Sequence, residues 1–157
     1  MRIKKIHITG FGRFRDFTLE LSDGINVITG PNEAGKSTIH LFIRSLLYGA
    51  DKKRRGAQRP VYERMRPWHT PDIYGGSLEV SDDGKNYRID RDFNVSADDI
   101  RIYDIDNSCF VAESETEGLM KRLLNNLSET AYVNTVSSGQ LQAATGKDMA
   151  AEIKRYA

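Results

Sequence analysis

The sequence holds a single cysteine, Cys109, so no disulfide forms within the chain. No segment approaches the ~20 consecutive apolar residues that a bilayer crossing requires. The longest apolar stretch, residues 41–47, is broken by Arg44. The start, Met1-Arg2-Ile3-Lys4-Lys5-Ile6, lacks the unbroken apolar run of a secretory signal, and the cytoplasm is the expected compartment. Net charge is nearly absent too: 23 Lys and Arg stand against 22 Asp and Glu, a balance of +1. That excludes a uniformly basic polyanion coat and confines nucleic-acid contact to a local patch. Repeats, low-complexity tracts and Gly/Ser linkers are missing. The 157 residues therefore read as one domain, 1–157, long enough to bury about 68–70% of its unfolded surface. His7, His40 and His69 lack metal-ligand spacing, and the lone Cys109 reads as a small buried residue rather than a nucleophile.

What is present is a mixed α/β pattern. Ile6 and Ile8 alternate with Lys5 and His7 up to Gly10 and Gly12, which predicts a strand over 2–9. Phe17, Leu19 and Leu21 alternate with Thr18 and Glu20; turn residues 22–24 then precede the denser run 25–29. The expectation is two strands joined by a tight turn, the second more buried. From Lys36 to Tyr48, apolar residues recur every three or four positions and Gly49 follows, predicting a helix. Residues 50–72 carry Gly56, Pro60, Pro67 and Pro71 and read as a long loop. Asp83-Gly84 between alternating runs at 76–80 and 87–91 predicts a β-hairpin, with another strand at 100–105. The capping-box spacing of Ser114-Glu115-Thr116-Glu117 before Leu119, Leu123, Leu124 and Leu127 predicts a helix near 115–127. A third helical stretch is expected from about 140 to the end.

Chemistry concentrates in Gly30-Pro31-Asn32-Glu33-Ala34-Gly35-Lys36-Ser37, a full match to G-x-x-x-x-G-K-[ST] placed between an apolar run and an amphipathic helix. A plain glycine-rich turn is the alternative. In the functional reading, the loop residues Asn32, Glu33, Ala34 and Gly35 turn backbone N–H groups around phosphate oxygens. The helix start adds partial positive charge there. Lys36 reaches the β- and γ-phosphates, the Ser37 hydroxyl is a Mg²⁺ ligand, and Thr38 adds a phosphate contact. A guanine-reading Asn-Lys-x-Asp element is absent. So is a strand of four apolar residues ending in Asp: Ile100-Arg101-Ile102-Tyr103-Asp104 comes nearest and Arg101 breaks it. The catalytic carboxylate of a complete site is not in this chain.

Three stretches together narrow the reading: residues 30–38, the upstream Gly10-Phe11-Gly12-Arg13-Phe14, and the downstream Val136-Ser137-Ser138-Gly139-Gln140. Over nearly its whole length the chain resembles the N-terminal half of an ABC-type ATPase head of the SMC/SbcC/RecF group, closest to YhaN-like proteins and double-strand-break-repair ATPases. The resemblance implies an α/β P-loop NTPase fold, one lobe of such a head with an antiparallel β subdomain, ending before a coiled coil. It implies ATP and Mg²⁺ as ligands. The implied partners are a C-terminal lobe of the same protein, a second head in a homodimer, DNA, and in some relatives a nuclease.

By position, Gln140 corresponds to the Q-loop glutamine that contacts Mg²⁺ or the attacking water; a polar turn and a signature motif are the other readings of 137–140. Arg13 lies one residue beyond a basic position that the family places near the phosphates, leaving a γ-phosphate contact and a plain surface arginine both open. Lys52, Lys53, Arg54, Arg55, Arg59, Arg64 and Arg66, with Tyr62 and Trp68 nearby, form a basic loop. It suits DNA phosphates, the nucleotide, or simply solvent. Two rival functions stand beside ATP hydrolysis in DNA repair or end processing. One is a free-standing P-loop phosphotransferase that uses the basic loop as a lid; the other is a non-catalytic assembly module.

Overall fold

A computed structural model describes residues 1–52, 59–94 and 99–137. The chain divides into two compact units, Met1–Glu117 and Gly118–Ala157. The first unit is built on six antiparallel strands: β1 (Arg2–Phe11), β2 (Phe14–Glu20), β3 (Gly75–Asp82), β4 (Lys85–Asp92), β5 (Ile100–Asp104) and β6 (Cys109–Phe110). Their order across the sheet is β2-β1-β3-β4-β5-β6. Helix α1 (Lys36–Tyr48) packs against β1, β3 and β4, and a short helix α2 (Val61–Met65) follows it.

The register explains why one face is apolar. Ile6 pairs with Leu19 on one side and Leu78 on the other; Leu78 pairs with Ile89, and Ile89 with Ile102. Four of these five, Ile6, Leu78, Ile89 and Ile102, are fully buried. A single row of side chains thus crosses five strands. Onto this face α1 lays Ile39, Phe42, Leu46 and Leu47, all buried, the outcome its three- and four-residue spacing dictates. Phe11 closes the end of the core, edge-on to Phe42 at 5.3 Å and 5.8 Å from both Tyr74 and Phe93. The last turn of α1 has no basic residue of its own, but buried Arg91 of β4 donates from Nε to the Leu46 carbonyl at 2.9 Å. A cation there complements the helix C-terminus.

Several expectations hold. The helix Lys36–Tyr48 forms as read, and Gly49 follows it at φ +92° with its N–H on the Ser45 carbonyl at 2.8 Å. The β3–β4 hairpin turns on Asp83 (φ +47°) and Gly84 (φ +78°), the positive pair a two-residue I′ turn needs.

Others are overturned. Residues 25–29 form no strand and are not buried: Ile25 is 93% and Val27 78% exposed. Strand β2, expected to pair with them, pairs instead with β1, with Phe11 opposite Phe14 and Ile8 opposite Phe17. The reason is local. Gly12 at φ +57° opens a two-residue turn between Phe11 and Phe14, so β1 claims β2 at the shortest loop-closure cost. Residues 25–29 are left with no strand beside them among the described residues, and the Asn26 amide secures the approach by bonding the Ser22 N–H and carbonyl, each at 2.9 Å.

The stretch read as a loop over 50–72 contains α2, and residues 53–58 lie outside the described residues. Cys109 is exposed, not buried, on the edge strand β6. Helix α3 (Glu113–Leu123) begins ahead of the capping-box serine, with the Glu115 and Thr116 N–H groups on the Ala112 carbonyl. In the second unit, α4 (Glu129–Thr135) starts at Ser128, whose side chain accepts from the Ala131 N–H at 3.2 Å. The helical stretch expected from about 140 lies outside the described residues. No described helix is long and apolar enough to cross a membrane.

Candidate functional site

The loop 30–35 leads directly into α1, and its shape follows from its glycines. Gly35 sits in the left-handed region at φ +99°, immediately before Lys36 opens the helix. A Cβ there would stand 2.6 Å from the Phe14 ring, so the backbone conformation and the packing both require glycine. Glu33 also takes a positive φ of +65°, and the Ala34 N–H returns to the Pro31 carbonyl at 3.2 Å. The chain therefore curls on itself over five residues before entering the helix.

No side chain caps the start of α1, and its first turn contains no acidic residue. The Thr38 and Ile39 N–H groups both turn to the Gly35 carbonyl, at 2.9 and 3.0 Å, and with no acidic side chain in the first turn the end of α1 facing the loop keeps the partial positive charge of a helix start. Lys36 bends back across the curl, its Nζ donating to the Gly30 carbonyl at 2.6 Å and the Pro31 carbonyl at 2.8 Å. An ammonium held by two neutral carbonyls, on an exposed residue, gains direct charge–charge attraction by exchanging them for anionic oxygens. Ser37 is exposed at the same helix end, and Thr38 is half-buried, its methyl 3.0 Å from where a Gly12 Cβ would lie.

Arg13 reaches this loop from the β1–β2 turn and donates from its guanidinium to the Glu33 carbonyl. The guanidinium thus touches the loop backbone while the residue itself is exposed. Phe14, beside it, covers Gly35 and stacks on Phe17 at 4.6 Å. Sequence reasoning missed that cover; the signal for it was the Gly-Arg-Phe order, which sends consecutive side chains of a tight turn to one site.

The candidate residues Asn32, Glu33, Ala34, Gly35, Lys36, Ser37, Thr38 and Arg13 thus converge on one curl. Gln140, with Ser138 and Gly139, lies outside the described residues, as do Lys53, Arg54 and Arg55 of the basic loop. Lys52 of that loop sits 4.8 Å over the Tyr62 ring, and Arg66 donates from Nε to the Pro71 carbonyl at 3.3 Å. Arg59 and Arg64 are exposed. Asp104, the nearest approach to a catalytic carboxylate, is spent on a turn: it accepts from the Asn107 N–H at 3.0 Å and side-chain amide at 2.9 Å, which hold its carboxyl below the usual range. Among the described residues no cluster of three or more His, Cys, Asp or Glu could hold a metal ion.

The chain is 39% identical to the uncharacterized protein YhaN of Bacillus subtilis over 81 residues, 51% of this chain and 7% of that protein. It is 28% identical to the DNA replication and repair protein RecF of Prosthecochloris aestuarii over 134 residues, 85% of this chain and 34% of that protein. It therefore spans well under two thirds of either relative, and the likeness to both bears out the resemblance to the SMC/SbcC/RecF group. A family model for an AAA domain (AAA_23) matches residues 5–153, and with almost its whole length so matched the chain belongs to that family of P-loop NTPases.

Proposed function

We propose that this chain is the N-terminal lobe of an ABC-type ATPase head, binding ATP with Mg²⁺ at the curl before α1. The observation that carries this reading is the Lys36 ammonium folded over the loop carbonyls at an uncapped helix start. The residues present fit a triphosphate: glycine where a side chain would block the bend, a helix start with no side-chain cap, two cationic side chains at the loop and no carboxylate in the first turn. Lys36 binds the β- and γ-phosphates, the backbone of 32–37 cradles them, and Ser37 supplies one oxygen ligand to Mg²⁺. That ion fills most of its sphere with water and phosphate, so few protein ligands suffice. Arg13 braces the loop through Glu33.

The catalytic carboxylate has to come from elsewhere, which is the reason for assigning the chain to a two-lobed head. The C-terminal lobe of the same protein and a second head complete the site, Gln140 senses the metal, and hydrolysis serves DNA repair or end processing in the cytoplasm. Similarity to RecF, a DNA replication and repair protein, supports the DNA connection; a nuclease partner remains part of the proposal only by the family resemblance. The phosphotransferase reading loses its lid in part. Residues 59–73 are tied down by the Gly12 N–H on the Met65 carbonyl at 2.6 Å and the Tyr62 N–H on the Asp51 carbonyl at 3.1 Å.

Thermal denaturation with and without MgATP tests the proposal. At a hundredfold excess over Kd, binding stabilises by about 2.7 kcal/mol, a shift of roughly 5–10 °C for a domain of this size. Lys36→Ala should lose most of that shift. Turnover should be slow in the isolated chain, and fast Lys36-dependent hydrolysis without a second lobe would contradict the assignment.

A further inference from the structure

Among the described residues a single charged side chain is buried, that of Arg91, 7% exposed. It follows Ile89 on the core face of β4 and precedes Phe93, both fully buried. Exchanging a buried ion for an apolar side chain of like volume is commonly neutral or stabilising, so fold stability alone does not account for a guanidinium in this place. Its Nε–H donates to the Leu46 carbonyl at 2.9 Å, one of the last four carbonyls of α1, the group that a helix leaves without a partner of its own. One helical turn earlier, Phe42 comes down on the same pair of strands. Gly76 of β3 lies opposite Arg91 in the register, and the Phe42 ring stands 2.8 Å from the place a Gly76 Cβ would take. The helix is thus seated by contact at Phe42 and tied by a directed bond at Leu46.

Burial of Ile39, Phe42, Leu46 and Leu47 depends on area and not on direction, whereas the bond from Arg91 sets the height of α1 along its own axis. At a rise of 1.5 Å per residue, Lys36 lies about 15 Å from Leu46 along the helix, so a slide at one end arrives at the other. There Lys36 folds over the Gly30 and Pro31 carbonyls. We infer that Arg91 is a positioning residue for the phosphate site: by holding the Leu46 carbonyl it sets where the first turn of α1 and the Lys36 ammonium meet the phosphates. The inference rests on the proposed nucleotide reading and adds to it a residue of the sheet interior. A misplacement of about 1 Å at a reacting centre can cost on the order of a hundredfold in rate, which gives such a tie a functional consequence.

Arg91→Met fills most of the volume and releases the carbonyl. Isothermal titration well below the melting transition should show it weakening MgATP and magnesium tripolyphosphate by the same factor, about tenfold, as loss of one hydrogen bond from a charged donor does. Arg91→Lys keeps a charged donor for Leu46 and should restore both affinities. Ile89→Val trims the same strand and should lower the melting temperature while leaving both affinities unchanged, which separates positioning from loss of core packing. Should Arg91→Met fail to fold, the wild-type chain still decides. Coupling is reciprocal, so tripolyphosphate must slow exchange of the Arg91 Nε proton, followed by nitrogen-edited NMR. Wild-type affinity in Arg91→Met, an equal loss in Ile89→Val, a folded Arg91→Lys as weak as Arg91→Met, or an Nε proton indifferent to saturating tripolyphosphate would each overturn the inference and leave the phosphate site standing. Absence of binding by the wild-type chain to MgATP and tripolyphosphate alike would remove the phosphate site, and this inference with it.

Discussion

Two glycines with nearly the same φ separate conformational cost from contact cost. Gly24 (φ +90°) has nothing within 4 Å of the place a Cβ would take, whereas at Gly35 (φ +99°) the Phe14 ring stands 2.6 Å away. Gly24→Ala meets only the left-handed penalty, about 1–2 kcal/mol. Gly35→Ala adds the displacement of Phe14 and should cost about 2–4 kcal/mol in all, combining that penalty with overpacking. Urea denaturation of both variants gives the difference directly. Because Gly35 also sets the curl, Gly35→Ala should lose the MgATP-dependent thermal shift that Gly24→Ala keeps. Equal costs and equal shifts would mean that Phe14 yields freely and that the cover over the loop is not specific.

At the scale of elements, α2 and the residues after it are held to the sheet by Tyr74, fully buried, whose phenol donates to the Tyr62 carbonyl at 2.9 Å. Tyr74→Phe should cost about 1 kcal/mol, the net worth of one hydrogen bond, with a larger loss if the Tyr62 carbonyl stays buried. Burial pushes the Tyr74 phenol well above its ordinary value, so the folded state stays protonated where the unfolded chain ionises, near pH 10. Above that pH the unfolded state binds fewer protons, and stability falls as pH rises. The phenylalanine variant lacks this decline. The gap between wild type and variant should narrow above about pH 10 and stay constant below it, which denaturation at stepped pH resolves.

Legibility divides along the same lines. Helix α1 and the β3–β4 hairpin were readable because their signals are local: helical spacing from Ile39 to Leu47, and Asp83-Gly84 between alternating runs. The pairing of β2 with β1 was missed because it turns on which neighbour closes the shorter loop, and Gly12 was read as a terminator rather than a turn. The loop residues 30–38 were readable by spacing. The Phe14 cover over Gly35 and the bond from the Gly12 N–H to the Met65 carbonyl at the end of α2 join segments about 20 to 50 residues apart, which no window of sequence displays.

For the molecule as a whole, the decisive feature is a run dense enough in apolar residues to read as a buried strand that nevertheless lies in solvent, Ile25 at 93% and Val27 at 78% exposure. In the proposed head these residues gain neighbours from the C-terminal lobe, whereas in this chain they have no strand beside them among the described residues. Val27→Asp distinguishes the two situations. In the present chain it should change stability by no more than about 0.5 kcal/mol, as surface substitutions do, and should reduce self-association at high concentration by shrinking an exposed apolar patch. In a chain extended to include the C-terminal lobe, the same aspartate enters an interior with no partner charge, and the cost should rise to about 3 kcal/mol or more. Urea melts of both lengths, with and without the substitution, read this as a double difference. A cost equally small at both lengths would leave residues 25–29 uncovered in the longer protein and would remove the two-lobed head as the setting in which Lys36 works.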